Sequence, residues 1–247
     1  MERTYTILPV ESKQLKAVGP GMITRMTVHE IYTKFRTHSG LQLHQLRVAS
    51  VAKIVCQNYM PDIRPGDIIL ACLFHDMGNI IKSDLSTMPE LFEPEGEEYW
   101  RTIKASFIEK YGSDEHHATH MIAEEIGLPG AAIEIIDSIG FSHLKETRRH
   151  GSLELKVAQY GDTRVSPFGI VSVRDRFIDG WARSKKRKNL TSIDDLKEHQ
   201  RTFEEYSKDG LQLEAHLFAS TRITPDDIND TSVSPIIEQL RTLPVFV

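Results

Sequence analysis

His75 and Asp76 stand side by side at the end of the apolar run Leu70-Ala71-Cys72-Leu73-Phe74. An imidazole and a carboxylate delivered together can approach one ion from neighbouring directions, because adjacent helical positions point about 100° apart. A helix this apolar must be buried, so both groups emerge from the core and need partners there. Taken alone, the pair also fits a satisfied core histidine and a carboxylate at a helix end. Two further groups arrive in the same way. His44 shares one helical face with Val48, Val51, Ala52 and Val55, which points it inward. Asp162 follows the apolar helical stretch Leu153 to Tyr160. Two imidazoles and two carboxylates, with no thiolate, suit a divalent ion such as manganese, iron, cobalt, nickel, magnesium or zinc, with positions left for water. An ion with an open position makes water a nucleophile at neutral pH, and Asp76 or Asp162 can help to take its proton. The cations placed to meet an anion nearby are Arg47, Lys82 and Arg164. Arg47 reads equally well as a plain surface arginine.

The elements that must position these groups are helical. Val28, Ile31, Tyr32 and Phe35 predict a helix over about 23–38, with Gly40 as its stop. The next predicted helix, about 41–59, carries His44 and Arg47, and Pro65-Gly66-Asp67 opens the one that delivers His75 and Asp76. The acidic stretch Ser83 to Glu98 reads as a connecting loop or a lid over the site. Trp100, Ile103, Phe107 and Tyr111 stripe another helix, closed by Gly112. Ser113 is the expected N-cap of a helix from Asp114 to Ile126 whose first turns hold His116, His117 and His120. His117, one turn before Met121, is the preferred inward candidate, and His116 is close behind. A short helix, Ala131 to Ile139, leaves His143 in the connection beyond it. Val171 to Ala182 continues helically, and Lys185-Lys186-Arg187-Lys188 reads as a solvated, charged hinge. Helices over Ile193 to Tyr206 and from Ser234-Pro235 form a tail whose apolar stripes imply packing on the main domain or a homodimer contact.

No strand alternation and no repeat stands out, so the expected class is all-α, a compact helical bundle with a helical C-terminal extension. The expected organisation is an irregular lead-in over residues 1–21, a metal-binding helical domain over 22–184, and the hinge and extension over 185–247. With 40 % hydrophobic and 26 % charged residues, a chain of 247 can bury a sizeable core. A net charge of −5 gives no general electrostatic reason to bind nucleic acid or an anionic membrane. Cys56 and Cys72 lie in apolar helical contexts and read as buried thiols of a reducing compartment. The start Met1-Glu2-Arg3-Thr4-Tyr5 lacks a secretory plan, and no apolar run approaches about 18 residues, so the expected location is cytoplasmic.

The order His44, His75-Asp76, Asp162, set in Leu43-His44-Gln45-Leu46-Arg47 and Gln159-Tyr160-Gly161-Asp162, resembles the HD superfamily of metal-dependent phosphohydrolases over about residues 22–181. The resemblance implies a compact helical bundle in which His44, His75, Asp76 and Asp162 hold a first metal. It also implies a nucleotide-like phosphoester as substrate. In binuclear members two intervening histidines bind a second metal bridged by the HD aspartate, and the matching positions here are His117, or His116, and His143. Relatives often carry Lys or Glu three residues after the HD aspartate, whereas this chain has Asn79. Charge at the phosphate then falls to Lys82 or Arg47. Two rival readings share the ligand set: a di-iron oxygenase of the same fold, and a sensor or interaction module that turns nothing over.

Overall fold

The computed structural model describes residues 25–86 and 89–246. The lead-in expected over residues 1–21 lies outside them. The described residues are all-α: eleven α-helices, with two short antiparallel strand pairs. Strand β1 (Arg25–Thr27) enters α1 (Val28–Lys34) through a capping box, in which the Thr27 hydroxyl accepts from the Glu30 N–H and the Glu30 carboxylate accepts from the Thr27 N–H. The helix stops at Phe35, before Gly40, because α2 (Ser39–Asn58) has already begun, with His38 Nδ1 accepting from Leu41 N–H. Then follow α3 (Gly66–Phe74), α4 (Gly96–Tyr111), α5 (Glu115–Ile126), α6 (Gly130–Ser138), α7 (Leu144–His150) and α8 (Leu153–Thr163). The hairpin β2 (Val165–Ser166) and β3 (Gly169–Ile170) precedes α9 (Val173–Arg187), α10 (Ile193–Phe218), α11 (Asp230–Arg241) and β4 (Pro244–Phe246).

Helix α2 forms the centre, packed against α3, α8 and α11, and Val48, Ala49, Val51, Ala52 and Val55 on it have no exposed surface. Burying each such side chain stabilises the fold by about 1.5–3 kcal/mol for the larger ones. The stretch from Ser83 to Glu98 borders a cleft through Ser83, Asp84, Leu91 and Phe92 and is anchored to the core. Leu85 and Phe92 are buried, Trp100 Nε1 donates to the Phe92 carbonyl at 3.0 Å, and the His38 ring meets Phe92 at 4.7 Å. The two cysteines are free and buried. Among the described residues no helix is long and apolar enough to cross a membrane.

Residues 185–246 continue the same core. Helix α9 runs across residue 184, and Lys185, Lys186 and Arg187 form its last turn, where cations offset the negative end of the helix. Helix α10 is longer than its apolar stripe predicted and buries Leu213 and Leu217. Arg148 Nε donates to Asp209 Oδ1 at 2.8 Å, joining α7 to α10. Helix α11 starts at Asp230, capped by Asn229, with Pro235 inside it. Strand β4 pairs with β1, setting Arg25 opposite Phe246. The tail packs on the main helices through Leu213, Leu217, Val233, Ile237 and Leu240, with Phe203 and Tyr206 partly buried beside them, while Ile193 at the start of α10 stays exposed.

Candidate metal centre

Helix α3 ends at Phe74, and the chain turns beneath α5 immediately after His75 and Asp76. The Gly78 N–H donates to the Thr119 hydroxyl at 2.9 Å, and a Cβ at Gly78 would stand only 2.9 Å from Ala118 Cβ and Thr119 N. A side chain there would push the turn off α5. Gly161 does the same for α8: a Cβ would lie 2.9 Å from the Val48 carbonyl oxygen, so its absence lets α8 press against α2. That close crossing brings the next residue, Asp162, to His44.

His44 Nε2 lies 3.4 Å from Asp162 Oδ1 and 3.8 Å from Asp76 Oδ2. His75 Nε2 lies 3.8 Å from each of the same two oxygens. His44, His75 and Asp76 each offer a ligand atom, and these atoms lie within 4.8 Å of one another. Neighbouring donors held about 2.1 Å from one divalent ion stand about 3.0–3.4 Å apart, so the four histidine–carboxylate separations exceed the liganded ones by less than about an ångström. His75 Nδ1 donates to the Cys72 carbonyl at 2.9 Å, which turns Nε2 to the centre, and there Nε2 is buried with no hydrogen-bond partner. A buried, oriented and unsatisfied imidazole nitrogen beside two carboxylates fits a metal ligand. Asp76 is oriented twice: its N–H donates to Gln45 Oε1 at 3.1 Å, and its Oδ2 accepts from Asn79 Nδ2 at 2.8 Å.

The charges follow the same geometry. Burial disfavours the His75 cation, yet the Asp76 charge and the contact with Asp162 outweigh it and raise the pKa to about 9. For His44 burial wins and the pKa falls. Burial works against the Asp162 carboxylate, but His44, His75 and Arg176 hold its pKa well below the usual range. Asp76 is also lowered: His75 and Lys82 overcome its burial.

A cleft of about 600 Å³ opens on these four residues. Lys82 lines it, paired with Glu115 at 3.4 Å. Arg47 does not: its Nε faces Asp230 at 3.7 Å and its Nη1 donates to the Pro167 carbonyl. Arg164 is consumed structurally, donating to Val171, Pro225 and Ile228 carbonyls. Of the intervening histidines, His143 and His116 line the cleft, whereas His117 is exposed and lines a smaller neighbouring pocket with His120, His116 and His75. The inward reading of His117 fails because the buried face of α5 is Ala118, Thr119, Ile122, Ala123 and Ile126, and Met121 is 39 % exposed. The cap of α5 is Asp114, which accepts from the His117 N–H, and not Ser113.

Arg176, Gln45 and Asn79 are the site's unforeseen members. Arg176 Nη2 lies 3.9 Å from Asp162 Oδ1. Its signal was available: it falls on the stripe Val173, Phe177, Gly180 and Ser184, and an arginine on a buried face needs a reason to be there. Comparisons with family models, curated proteins and solved structures find no match for this chain.

Proposed function

We propose that the chain is a metal-dependent phosphohydrolase of the HD type, acting on a small phosphorylated, nucleotide-like molecule. One observation carries this reading: two buried imidazoles, His75 held by the Cys72 carbonyl, and two ionised carboxylates converge at the base of a cleft walled by Lys82, Arg176, Arg183 and Arg187. A divalent ion bound there supplies Lewis acidity and a water of lowered pKa. His44, His75, Asp76 and Asp162 would hold it. Asp76, whose side chain is 24 % exposed toward the cleft, keeps its carboxylate available to accept a proton from the attacking water. Arg176 and Lys82 set positive charge beside the place where phosphoryl oxygens gain negative charge. His116 and His143, lining the same cleft, are the imidazoles available to a second ion.

The test is elemental analysis of the purified protein followed by a nucleotide panel assayed anaerobically with manganese or cobalt. The expected result is release of phosphate or of a nucleoside monophosphate. Turnover that requires oxygen and an iron-loaded protein replaces the hydrolase with the oxygenase, and silence across metals and substrates leaves a binding module.

A further inference from the structure

We infer that the cleft takes a ligand with two separate anionic groups, a phosphoryl group at Arg176 and a second anion farther out at Arg183 and Arg187, with a flat ring between them. The inner half of this inference rests on the phosphohydrolase reading. Arg176 is the group that requires a ligand. The residue is 8 % exposed, and its Nε and Nη1 have no hydrogen-bond partner. Its guanidinium lies 4.7 Å from the centre of the Phe141 ring while the residue lines the cleft. Nε and Nη1 are closed off from solvent, so the guanidinium meets the cleft chiefly as a charge, with Nη2 3.9 Å from Asp162 Oδ1, too far to bond, and an oxyanion seated in the cleft matches that charge.

The outer half follows from helical geometry. Arg183 and Arg187 come seven and eleven residues after Arg176 on α9, and all three line the cleft. Those offsets return to within about 20° of the same direction and lie about 10 and 16 Å along the axis. Asp179 holds the Nε and Nη2 edge of Arg183, at 2.9 and 2.8 Å. Between inner and outer arginines sits Gly180, with Phe203 and Phe141 carbons 3.1 and 3.5 Å from where its Cβ would be. Both phenylalanines line the cleft, so the wall between the cations is aromatic. A volume of about 600 Å³ exceeds what one phosphate needs and falls within the range of small-molecule sites. Asp76 and Asp162 face the ion, and against Asp84, the other acid in the lining, Lys82, Arg176, Arg183 and Arg187 leave the field of the cleft positive once a divalent cation is bound.

Two probes separate one anion from two: biphenyl-4-phosphonate and biphenyl-4,4′-diphosphonate, whose carbon–phosphorus bonds hydrolysis leaves intact. Each is titrated calorimetrically into the full chain with manganese present. The diphosphonate is expected to bind about ten- to a hundredfold more tightly, and the Arg183→Gln/Arg187→Gln double variant to bring the two ligands to equal affinity. Arg176→Lys should weaken both by about tenfold without changing metal content. Equal affinity of the probes in the unaltered protein overturns the inference, as does a double variant that keeps the preference, or no binding of either probe at millimolar concentration. If Arg176→Lys does not fold, the outer pair decides. Preference for the diphosphonate without phosphate release from any nucleotide would sink the hydrolase reading and leave the two-anion cleft standing.

Discussion

Histidines crowd the start of α5, where three fall within five residues, yet the candidate ligand cluster forms where α2, α3 and α8 cross and each contributes one or two groups. The side chain of His116 is 70 % exposed and that of His120 is 37 % exposed, against 13 % for His44 and 3 % for His75. Helix α5 buries one face on its neighbours and leaves its histidines at the rim, where His116 borders the cleft and His120 settles on Asp137 at 3.0 Å. At the crossing α3 is covered by its neighbours, so the polar groups at its end reach solvent only through the cleft and are otherwise satisfied by groups from the other helices. In this chain the candidate ligands meet by convergence of buried elements and not where ligand-type residues are densest in the sequence.

The sharpest test of that contrast is removal of a ligand from each region. Asp76→Ala or His75→Ala should lower manganese affinity by about a hundredfold or more, while His117→Ala leaves it unaltered. Equal losses, read by metal titration and elemental analysis, would break the comparison.

Protonation supplies the next effect. His75 has its pKa raised from 6.5 to about 9 without an ion, so a metal must displace that proton. Affinity should climb as pH rises toward 9, with about one proton released per ion near neutral pH. Stability of the chelated protein should move the other way. The contribution of a raised histidine pKa is fully present below about 6.5 and is lost as pH rises through about 9. Thermal unfolding across that window, with and without manganese, measures both; a flat profile for the chelated protein removes the His75 pairing.

Smaller effects mark the surroundings. Asn79→Ala frees Asp76 Oδ2 from its donor and should weaken the metal about tenfold with little change in melting temperature. Arg47→Ala should cost about 1 kcal/mol of stability and leave metal affinity intact, because its partners are Asp230, which is 59 % exposed, and a backbone carbonyl. A loss of metal in that variant would return Arg47 to the site.

Helix periodicity made α2 and α3 legible, and with them His44, His75 and Asp76, because an unbroken apolar face reports burial directly. The close passage of α8 over α2 was not legible: Gly161 looks like any glycine until Val48 stands against it. His117 was misplaced for the reason that Met121, although apolar, is not on the buried face. Arg164 and Arg47 looked suited to phosphate by charge and sequence proximity, and only the fold shows the carbonyls and carboxylate that already hold them. The apolar stripes of α10 and α11 were visible, but nothing in a stripe says whether it meets its own chain or another copy. Residue 184 marks a change in composition within a helix that continues through it.

The contact between His75 and Cys72 has an implication for tolerance to sequence drift. What orients the imidazole is the Cys72 carbonyl, and the thiol takes no part in it. Every amino acid brings the same carbonyl, so the tautomer of His75 is written into the main chain and survives any replacement at position 72 that the core will accept. Gln45 and Asn79, which orient Asp76 through their own amides, have no such insurance. Lineages of this fold should therefore vary freely at 72 among small apolar residues and pay for change at 45 and 79.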